Sequence, residues 1–379
     1  MSADAFMSEY WERCKLLIGR ADPDYFKEVV DIAELDRLVS SVRIPATNLN
    51  LARGDTPLPL SSYTSGSSYV EKSRVISLHQ EGATVILRSV EQWSPALNRL
   101  RIAAEEFFGF ESQVNVYLTP ASEKSTPPHW DTHDLFVLQI AGKKCWRLFG
   151  GERTLPLGDE RFRVGSDFVS ADREDIWLHP GDTLYLPRGV IHEPVADTYS
   201  AHVSVGVHTV RYYDLLTVAL RLLAEREGST LRRGLSPWCR DSKGFEIPEI
   251  AAQLASQELL EQAAQVIRRQ FDEQRAIDLE GRIREVAEGP ILKGSVPYVR
   301  RAGVGLSIDE SEKGLVLVGR GQSVVVPISF RKAVEFLARC EAGSFSADEL
   351  PGSLTSDERV ALCAALCEIG VLKTVSVTG

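Results

Sequence analysis

The stretch PPHWDTHDLFVLQIAGKKCWRLF, Pro127 to Phe149, opens an apolar, strand-like run with His129 and Asp131, two residues apart. In an extended segment, residues i and i+2 project from one face, so this pair aims an imidazole and a carboxylate at one point. Two histidines and one carboxylate form a facial triad, which suits a redox-active divalent metal and leaves coordination positions open. The second histidine must come from elsewhere. Downstream, HPGDTLYLPRGVIHEP places Gly181, Pro187, Gly189 and His192 in the pattern G-x5-P-x-G-x2-H. Glycine and proline at those places make a tight turn between strands, and the turn delivers His192. The same donor set is also compatible with zinc, and with a barrel that binds partners without turnover.

Two such segments can meet only if a rigid frame brings them together. VNVYLTP, LFVLQIAG, CWRLF, DIWLHPGDTLYLP and AHVSVGVHTV are short alternating or β-branched runs separated by Gly, Pro and Asp. That texture predicts antiparallel strands closing into a barrel or jelly roll. Ahead of them, SEYWERCKLLIGR and YFKEVVDIAELDRLV read as helices and NLNLARGDTPLPLSSYTSGSSYV as loop. GATVILRSV reads as a strand. SPALNRLRIAAEEFFGF reads as a helix with Ser94 as N-cap and Gly109 near its end.

From about Tyr212 the period changes to that of helices in YYDLLTVALRLLAERE and IPEIAAQLASQELLEQAAQVIRRQF. Ile250, Leu254, Ala264, Ile267 and Phe271 fall on one broad stripe, which can pack within the chain or on a second copy. From about Pro290, PYVRRAGVGLSI and GLVLVGRGQSVVVP read as paired strands. SFRKAVEFLARC follows, with Ser329 as N-cap, then TSDERVALCAALCEIG with a capping box from Thr355 to Glu358, and a closing strand VLKTVSV. Two helices with a β wing resemble a winged helix. The expectation is an α+β multidomain chain: residues 1–210 a barrel domain with an N-terminal helix-and-strand extension, 211–288 helical, 289–379 winged-helix-like.

The 379 residues are 44% hydrophobic and 25% charged, as in globular proteins, and carry a formal net charge of −10. An acidic surface favours basic partners and argues against nucleic acid, as does the lack of a Lys/Arg-rich helix in the C-terminal part. No apolar run of about 18 residues is present, which argues against a membrane span. MSADAFMSEYWERC is acidic and lacks the apolar core of a secretory signal, which points to the cytoplasm. The six cysteines form no CxxC, and Cys363 and Cys367, i and i+4, read as packed helix residues.

HWDTHDLFVLQIAGKKCWRLF and PGDTLYLPRGVIHEP resemble the two metal-binding segments of JmjC-type cupins, in particular the ribosomal oxygenases. NVYLTP precedes the first segment at the spacing of that family, and SEYWERCKLLIGR is similar to its entry segment. The resemblance covers nearly the whole chain, with strong motifs between Asn115 and Ser204. It implies a double-stranded β-helix (cupin, or jelly-roll) core, a helical dimerisation segment and a winged-helix-like end. It also implies an iron(II)- and 2-oxoglutarate-dependent dioxygenase that uses O2 to hydroxylate a side-chain carbon, such as that of Arg or His in a ribosomal protein.

By that resemblance His129, Asp131 and His192 match the iron ligands. Lys144 matches the cation that holds the far carboxylate of 2-oxoglutarate, and Tyr117 a second group on that carboxylate. Ser204 stands where a Thr commonly assists, Asn115 faces the cosubstrate, and His202 lines the pocket. Trp130, between the first two ligands, departs from the usual Tyr, Phe or Val and alters a pocket wall. A lysine among apolar strand neighbours is itself better explained by a bound anion, since an isolated buried charge is costly. Expected partners are a protein or peptide substrate and a second copy in a homodimer. The same chemistry on a biosynthetic peptide, a small molecule or an N-methyl group is the alternative, and a non-catalytic cupin that recognises a basic partner is the other. His133, Asp134, His179 and His208 read as structural or surface residues, Trp146 and Trp177 as core, Lys143 as solvated, and Arg188 as either a substrate contact or an exposed arginine.

Overall fold

A computed structural model describes residues 2–54, 56–121, 123–124, 126–150, 154–162, 172–234, 247–275, 277, 279–283, 287, 296–319, 322–339 and 343–375. The chain divides into two compact units, Met1–Thr209 and Val210–Gly379.

The first unit contains helices α1 (Ala3–Glu9), α2 (Ile32–Ser41), α3 (Lys72–Gln80) and α4 (Pro95–Phe108). Its strands are β1 (Leu16–Ile18), β2 (Leu49–Arg53), β3 (Thr56–Pro57), β4 (Thr84–Leu87), β5 (Glu111–Thr119), β6 (Asp134–Ala141), β7 (Lys144–Phe149), β8 (Arg173–Leu178), β9 (Thr183–Leu186), β10 (Ile191–Ala196) and β11 (Ser200–His208). Eight strands form one sheet in the order β1-β9-β6-β11-β5-β4-β2-β3, and β10-β7-β8 form a second. Every pairing is antiparallel, so short turns suffice to join neighbours.

The two faces of the large sheet have different tasks, and the period-2 alternation of the sequence assigns them. On β5 and β11, Val114, Val116, Leu118, Val203 and Val205 enter one apolar core with Leu35, Leu38 and Leu97. Each such buried side chain contributes about 1.5–3 kcal/mol. On the opposite face, Leu135, Val137, Leu184 and Leu186 meet Trp146, Leu148, Ile176 and Leu178 of the small sheet. That second core closes one end of the space between the sheets, and the polar inward positions of β5 and β11 line the rest.

Local signals explain the helix that covers the large sheet. Ser94 caps α4, its Oγ accepting from the Leu97 N–H at 3.4 Å, Pro95 occupies the first turn, and Gly109 ends the helix at φ 71°. Near the N-terminus the helical expectation holds only in part. Within SEYWERCKLLIGR, α1 stops at Glu9, and Leu16–Ile18 pairs instead with Thr183–Tyr185 as an edge strand. Phe6 and Trp11 anchor the preceding turns against Phe108 and Tyr185. In YFKEVVDIAELDRLV the helix begins only at Ile32, because Asp31 accepts from the Glu34 N–H at 2.8 Å and caps it there. The segment read as loop from Asn48 to Val70 holds β2 and β3; Leu49 and Leu51 are fully buried, a strand pattern hidden by the surrounding Gly, Pro and Ser. Helix α3 has no counterpart in the sequence reading.

In the second unit, α5 (Tyr212–Glu225), α6 (Ile247–Leu254) and α7 (Gln257–Gln274) bury Ala219, Leu223, Leu259 and Ala263 against one another. The expected stripe is rotated: Leu259 and Ala263 are buried, Ala264 is exposed, and Ile267 and Phe271 are half-buried. The remainder contains β12 (Pro297–Arg300), β13 (Ser307–Ser311), β14 (Gly314–Gly319), β15 (Gln322–Val326), α8 (Arg331–Arg339), β16 (Phe345–Ser346), α9 (Ser356–Glu368) and β17 (Leu372–Thr374). These form two three-stranded sheets, β16-β12-β17 and β13-β14-β15. Thr355 and Glu358 exchange the two bonds of the capping box, at 3.3 and 2.8 Å. Ser329 caps nothing, because it lies in a 3-10 turn before α8. Cys363 and Cys367 are buried, whereas Cys239, Cys340, Ser376 and Val377 lie outside the described residues. Among the described residues no helix is long and apolar enough to cross a membrane.

Candidate active site

His129 and His192 are brought together by the backbone. The two residues form an isolated antiparallel bridge, with the His192 N–H donating to the His129 carbonyl at 2.8 Å and the reverse bond at 3.1 Å. The Gly189 N–H also donates to the Asp131 carbonyl at 3.0 Å. Gly181 and Gly189 have φ of 92° and 91°, so the two glycines of the G-x5-P-x-G-x2-H pattern occupy backbone positions that other residues rarely take. The turn that glycine permits thus seats His192 beside the segment bearing His129 and Asp131.

The side chains converge. One donor atom from each of His129, Asp131 and His192 lies within 4.8 Å of the others. His129 Nε2 is 3.9 Å from Asp131 Oδ1, and His192 Nε2 is 3.7 Å from Asp131 Oδ2. Each Nδ1 faces a backbone carbonyl, Pro127 O at 2.7 Å for His129 and Val190 O at 3.0 Å for His192. A carbonyl only accepts, so each Nδ1 carries a proton, which leaves each Nε2 as the atom that faces Asp131 and can serve as a metal donor. Burial, with His129 close by, lowers the His192 imidazole to about 4 despite the pull of Asp131, so it is neutral at pH 7. Metal ligands at about 2.1 Å in a facial arrangement lie about 3 Å apart, so a single cation fits after side-chain shifts of less than about 1 Å.

A second polar cluster is built from three strands in the same interior. Lys144, the first residue of β7, is fully buried. Its Nζ donates to Thr119 Oγ1 at 3.0 Å and lies 3.4 Å from His202 Nδ1. Burial lowers this ammonium to about 7. Tyr117 pairs with His202 across β5 and β11, and their rings stack at 4.6 Å and 5°. Burial and the nearby Asp131 push the Tyr117 phenol up to about 12, so it remains a donor. Ser204 is buried beside Asn115 in the same register. The Asn115 Oδ1 accepts from the Ser89 N–H at 3.1 Å, so this side chain also holds a left-handed residue of the preceding turn.

The flanking residues fall into place around these clusters. Trp146 is buried with its ring 5.4 Å from that of His192 and 5.5 Å from that of His202, joining the two ends. Trp177, expected in the core, is 40% exposed on the outer face of β8, where Lys143 Nζ sits 4.1 Å over its ring. Trp130 is buried, edge-on to Phe162 at 6.1 Å. His133 lies 3.9 Å from Asp131 Oδ2 and 5.1 Å from the His208 ring, closer to the triad than a purely structural reading implied. Arg188 is not an exposed arginine. It is buried in ion pairs with Asp134, at 3.0 Å, and with Glu12. Asp134 also accepts from Tyr185 and Thr209, and this network ties the turn after β9 to the N-terminal segment. Thr119 was missed from the sequence. Its signal was its parity with Asn115 and Tyr117 on one strand face.

Residues 90–215 match the JmjC domain family. Ribosomal oxygenase 2 of Mus musculus is 30% identical over 214 residues, 55% of this chain and 45% of that protein. The Bifunctional lysine-specific demethylase and histidyl-hydroxylase NO66 of Aedes aegypti is 29% identical over 251 residues, 61% of this chain and 37% of that protein. Over this region the chain is similar to JmjC-domain proteins, among them ribosomal oxygenases. It spans less than half the length of these curated relatives. Escherichia coli YcfD shares the fold, with a TM-score of 0.55 and 17% identity over 99% of this chain and 98% of that one. A second structure of YcfD, a ribosomal oxygenase in complex with cobalt and 2-oxoglutarate, gives a TM-score of 0.53 at 18% identity with the same coverage. The first unit is thus a mixed helix-and-sheet fold shared with YcfD, and its residues from 90 onward match the JmjC domain.

Proposed function

We propose that this protein is an iron(II)- and 2-oxoglutarate-dependent dioxygenase that hydroxylates a side-chain carbon of a protein or peptide, with Arg or His of a ribosomal protein as the favoured target. The observation that carries the reading is the pairing of a two-histidine, one-aspartate cluster with a buried lysine in the same interior. The names of the relatives, which include oxygenases and a histidyl-hydroxylase, support a protein substrate.

In this reading His129, Asp131 and His192 hold the metal through Nε2, a carboxylate oxygen and Nε2. Bound iron(II), with 2-oxoglutarate and O2, supplies the oxidising chemistry. The chain's own residues bind, orient and exclude water. Lys144 holds the far carboxylate of the diacid by a charge-assisted hydrogen bond. Tyr117, still protonated, donates to the same carboxylate, and Ser204 and Asn115 border the cosubstrate. The buried Trp130 and Trp146 keep water from the reacting groups.

The second unit suggests two further roles. Tyr212, Tyr213, Leu216 and Leu220 of α5 are exposed, a face suited to a second copy, so the helical part serves as a homodimerisation segment. The strands and helices from Pro297 onward serve as a winged-helix-like domain that docks substrate, which gives the three-part division at about 210 and 288. The protein works in the cytoplasm.

The experiment is an aerobic assay of the iron-loaded protein with 2-oxoglutarate and a ribosomal-protein peptide pool, read by succinate release and by a one-oxygen mass gain on peptide. Succinate and a mass gain that both vanish in His129→Ala support the reading. No 2-oxoglutarate turnover with any pool, or turnover unchanged in His129→Ala, sinks it.

A further inference from the structure

The polar cluster around Lys144 contains one residue whose role the metal and the diacid do not by themselves explain. His202 is 1% exposed. Its ring is fixed from two sides, stacked on Tyr117 at 4.6 Å and 5° and met at 76° by Trp146 at 5.5 Å. Neither contact uses a ring nitrogen. Nδ1 is 3.4 Å from Lys144 Nζ. When Lys144 is charged, as it is opposite a bound carboxylate, its ammonium only donates, so Nδ1 then accepts and the imidazole proton resides on Nε2. Burial, and then the neighbouring Lys144, hold the His202 imidazole well below its ordinary value, so the ring is neutral.

We propose that His202 is the positioning residue of the cosubstrate subsite: clamped between Tyr117 and Trp146, it accepts from Lys144 and fixes the direction in which the ammonium meets the distal carboxylate. The inference rests on the 2-oxoglutarate reading above and adds a residue to it. Lysine is a flexible point charge on a four-carbon stem, and it lacks the planar fork that lets arginine orient an anion by itself. Orientation must come from acceptors around Nζ. Thr119 Oγ1 at 3.0 Å and His202 Nδ1 at 3.4 Å are both neutral acceptors. They aim the ammonium without cancelling its charge, as a carboxylate in either place would do. The sheet register makes the arrangement rigid, since His202 lies opposite Tyr117 on one side and Gln139 on the other. A pre-aimed ammonium loses less freedom on binding, and it discriminates by the length of the diacid.

The test uses the full chain loaded with cobalt(II) under anaerobic conditions and measures 2-oxoglutarate binding by calorimetry. His202→Phe keeps an aromatic ring between Tyr117 and Trp146 but removes the acceptor. His202→Asn keeps an acceptor at the place of Nδ1. We expect His202→Phe to weaken 2-oxoglutarate binding by about 10- to 30-fold, as for loss of a hydrogen bond to a charged group. Cobalt affinity should stay within about twofold, because Nδ1 of His202 lies outside the ligand set. His202→Asn should recover binding to within about threefold of the parent, and preference for 2-oxoglutarate over the one-carbon-shorter oxaloacetate should fall only in the Phe variant. Should His202→Phe not fold, His202→Gln, whose amide lies beyond the Nδ1 position, takes its place with the same expectation. Unchanged 2-oxoglutarate affinity in the acceptor-free variant overturns the inference, as does equal weakening in Phe and Asn, which would mark a merely structural ring. A parent protein that binds cobalt but not 2-oxoglutarate would overturn the cosubstrate reading itself, an outcome distinct from the other two.

Discussion

The two ends of the cupin interior are built in different ways. At the mouth, His129 and Asp131 are half-buried, and His192 reaches them through a two-residue backbone bridge and a glycine-bearing turn. At the inner end, Lys144, Thr119, Tyr117 and His202 come from three strands and meet only because the sheets set their register. The mouth joins two locally patterned segments through one backbone bridge, whereas the inner end depends on the register of three strands. The difference also appears in stability. Of the mouth groups His129 and Asp131 are half-buried and His192 is buried, whereas the inner end keeps a lysine fully buried among neutral partners, and burying an ammonium costs free energy.

The comparison can be broken in several places. The largest effect is expected from His129→Ala: metal affinity should drop at least about 100-fold while the melting temperature stays within about 3 °C, because a half-buried ligand is removed without a core cavity. Equilibrium metal titration alongside a thermal melt checks both parts. Next, Lys144→Met should weaken 2-oxoglutarate binding by about 10- to 100-fold and leave metal affinity intact. The same substitution should raise the stability of the ligand-free protein by about 1–3 kcal/mol in urea titrations, since an apolar side chain replaces a buried charge. A loss of stability there would mean that Lys144 is a structural residue. A comparable change of opposite sign is expected away from both ends. Arg188→Met leaves Asp134 buried without its cation and should destabilise by about 3 kcal/mol.

A further effect is in the pH profile. The unfolded chain keeps Lys144 protonated up to its ordinary 10.5, whereas the folded, ligand-free protein releases that proton near 7. Between those values the unfolded state binds more protons, so this group's contribution to stability rises with pH from about 7 to 10.5. Denaturation curves of the parent and of Lys144→Met should differ in slope across that window and run parallel below pH 6.

The same contrast explains what could be read from sequence. The HxD pair and the G-x5-P-x-G-x2-H turn are contiguous patterns that can be picked out in the sequence, although β6 begins only at Asp134 and the pair sits on an isolated bridge ahead of it rather than in the expected strand. Lys144, Tyr117 and Ser204 were placed by resemblance, and Thr119 was not placed at all, because nothing local says which strands lie side by side. Arg188 read as either a substrate contact or an exposed arginine; the buried Asp134, more than fifty residues earlier, holds it in the interior and removes the exposed alternative. Trp177 read as core on composition, yet the alternation of β8 sends it outward, over which Lys143 lies. The strand β2 was lost in a Gly- and Pro-rich segment, and β1 was mistaken for helix because a three-residue edge strand is too short to show a period.

The most direct test of the account is an anaerobic crystal structure of the protein with cobalt(II) and 2-oxoglutarate. We predict one cation within about 2.2 Å of His129 Nε2, His192 Nε2 and an Asp131 oxygen, with the distal carboxylate of the diacid within about 3 Å of Lys144 Nζ. A cation bound elsewhere, or a diacid whose distal carboxylate avoids Lys144, would contradict it.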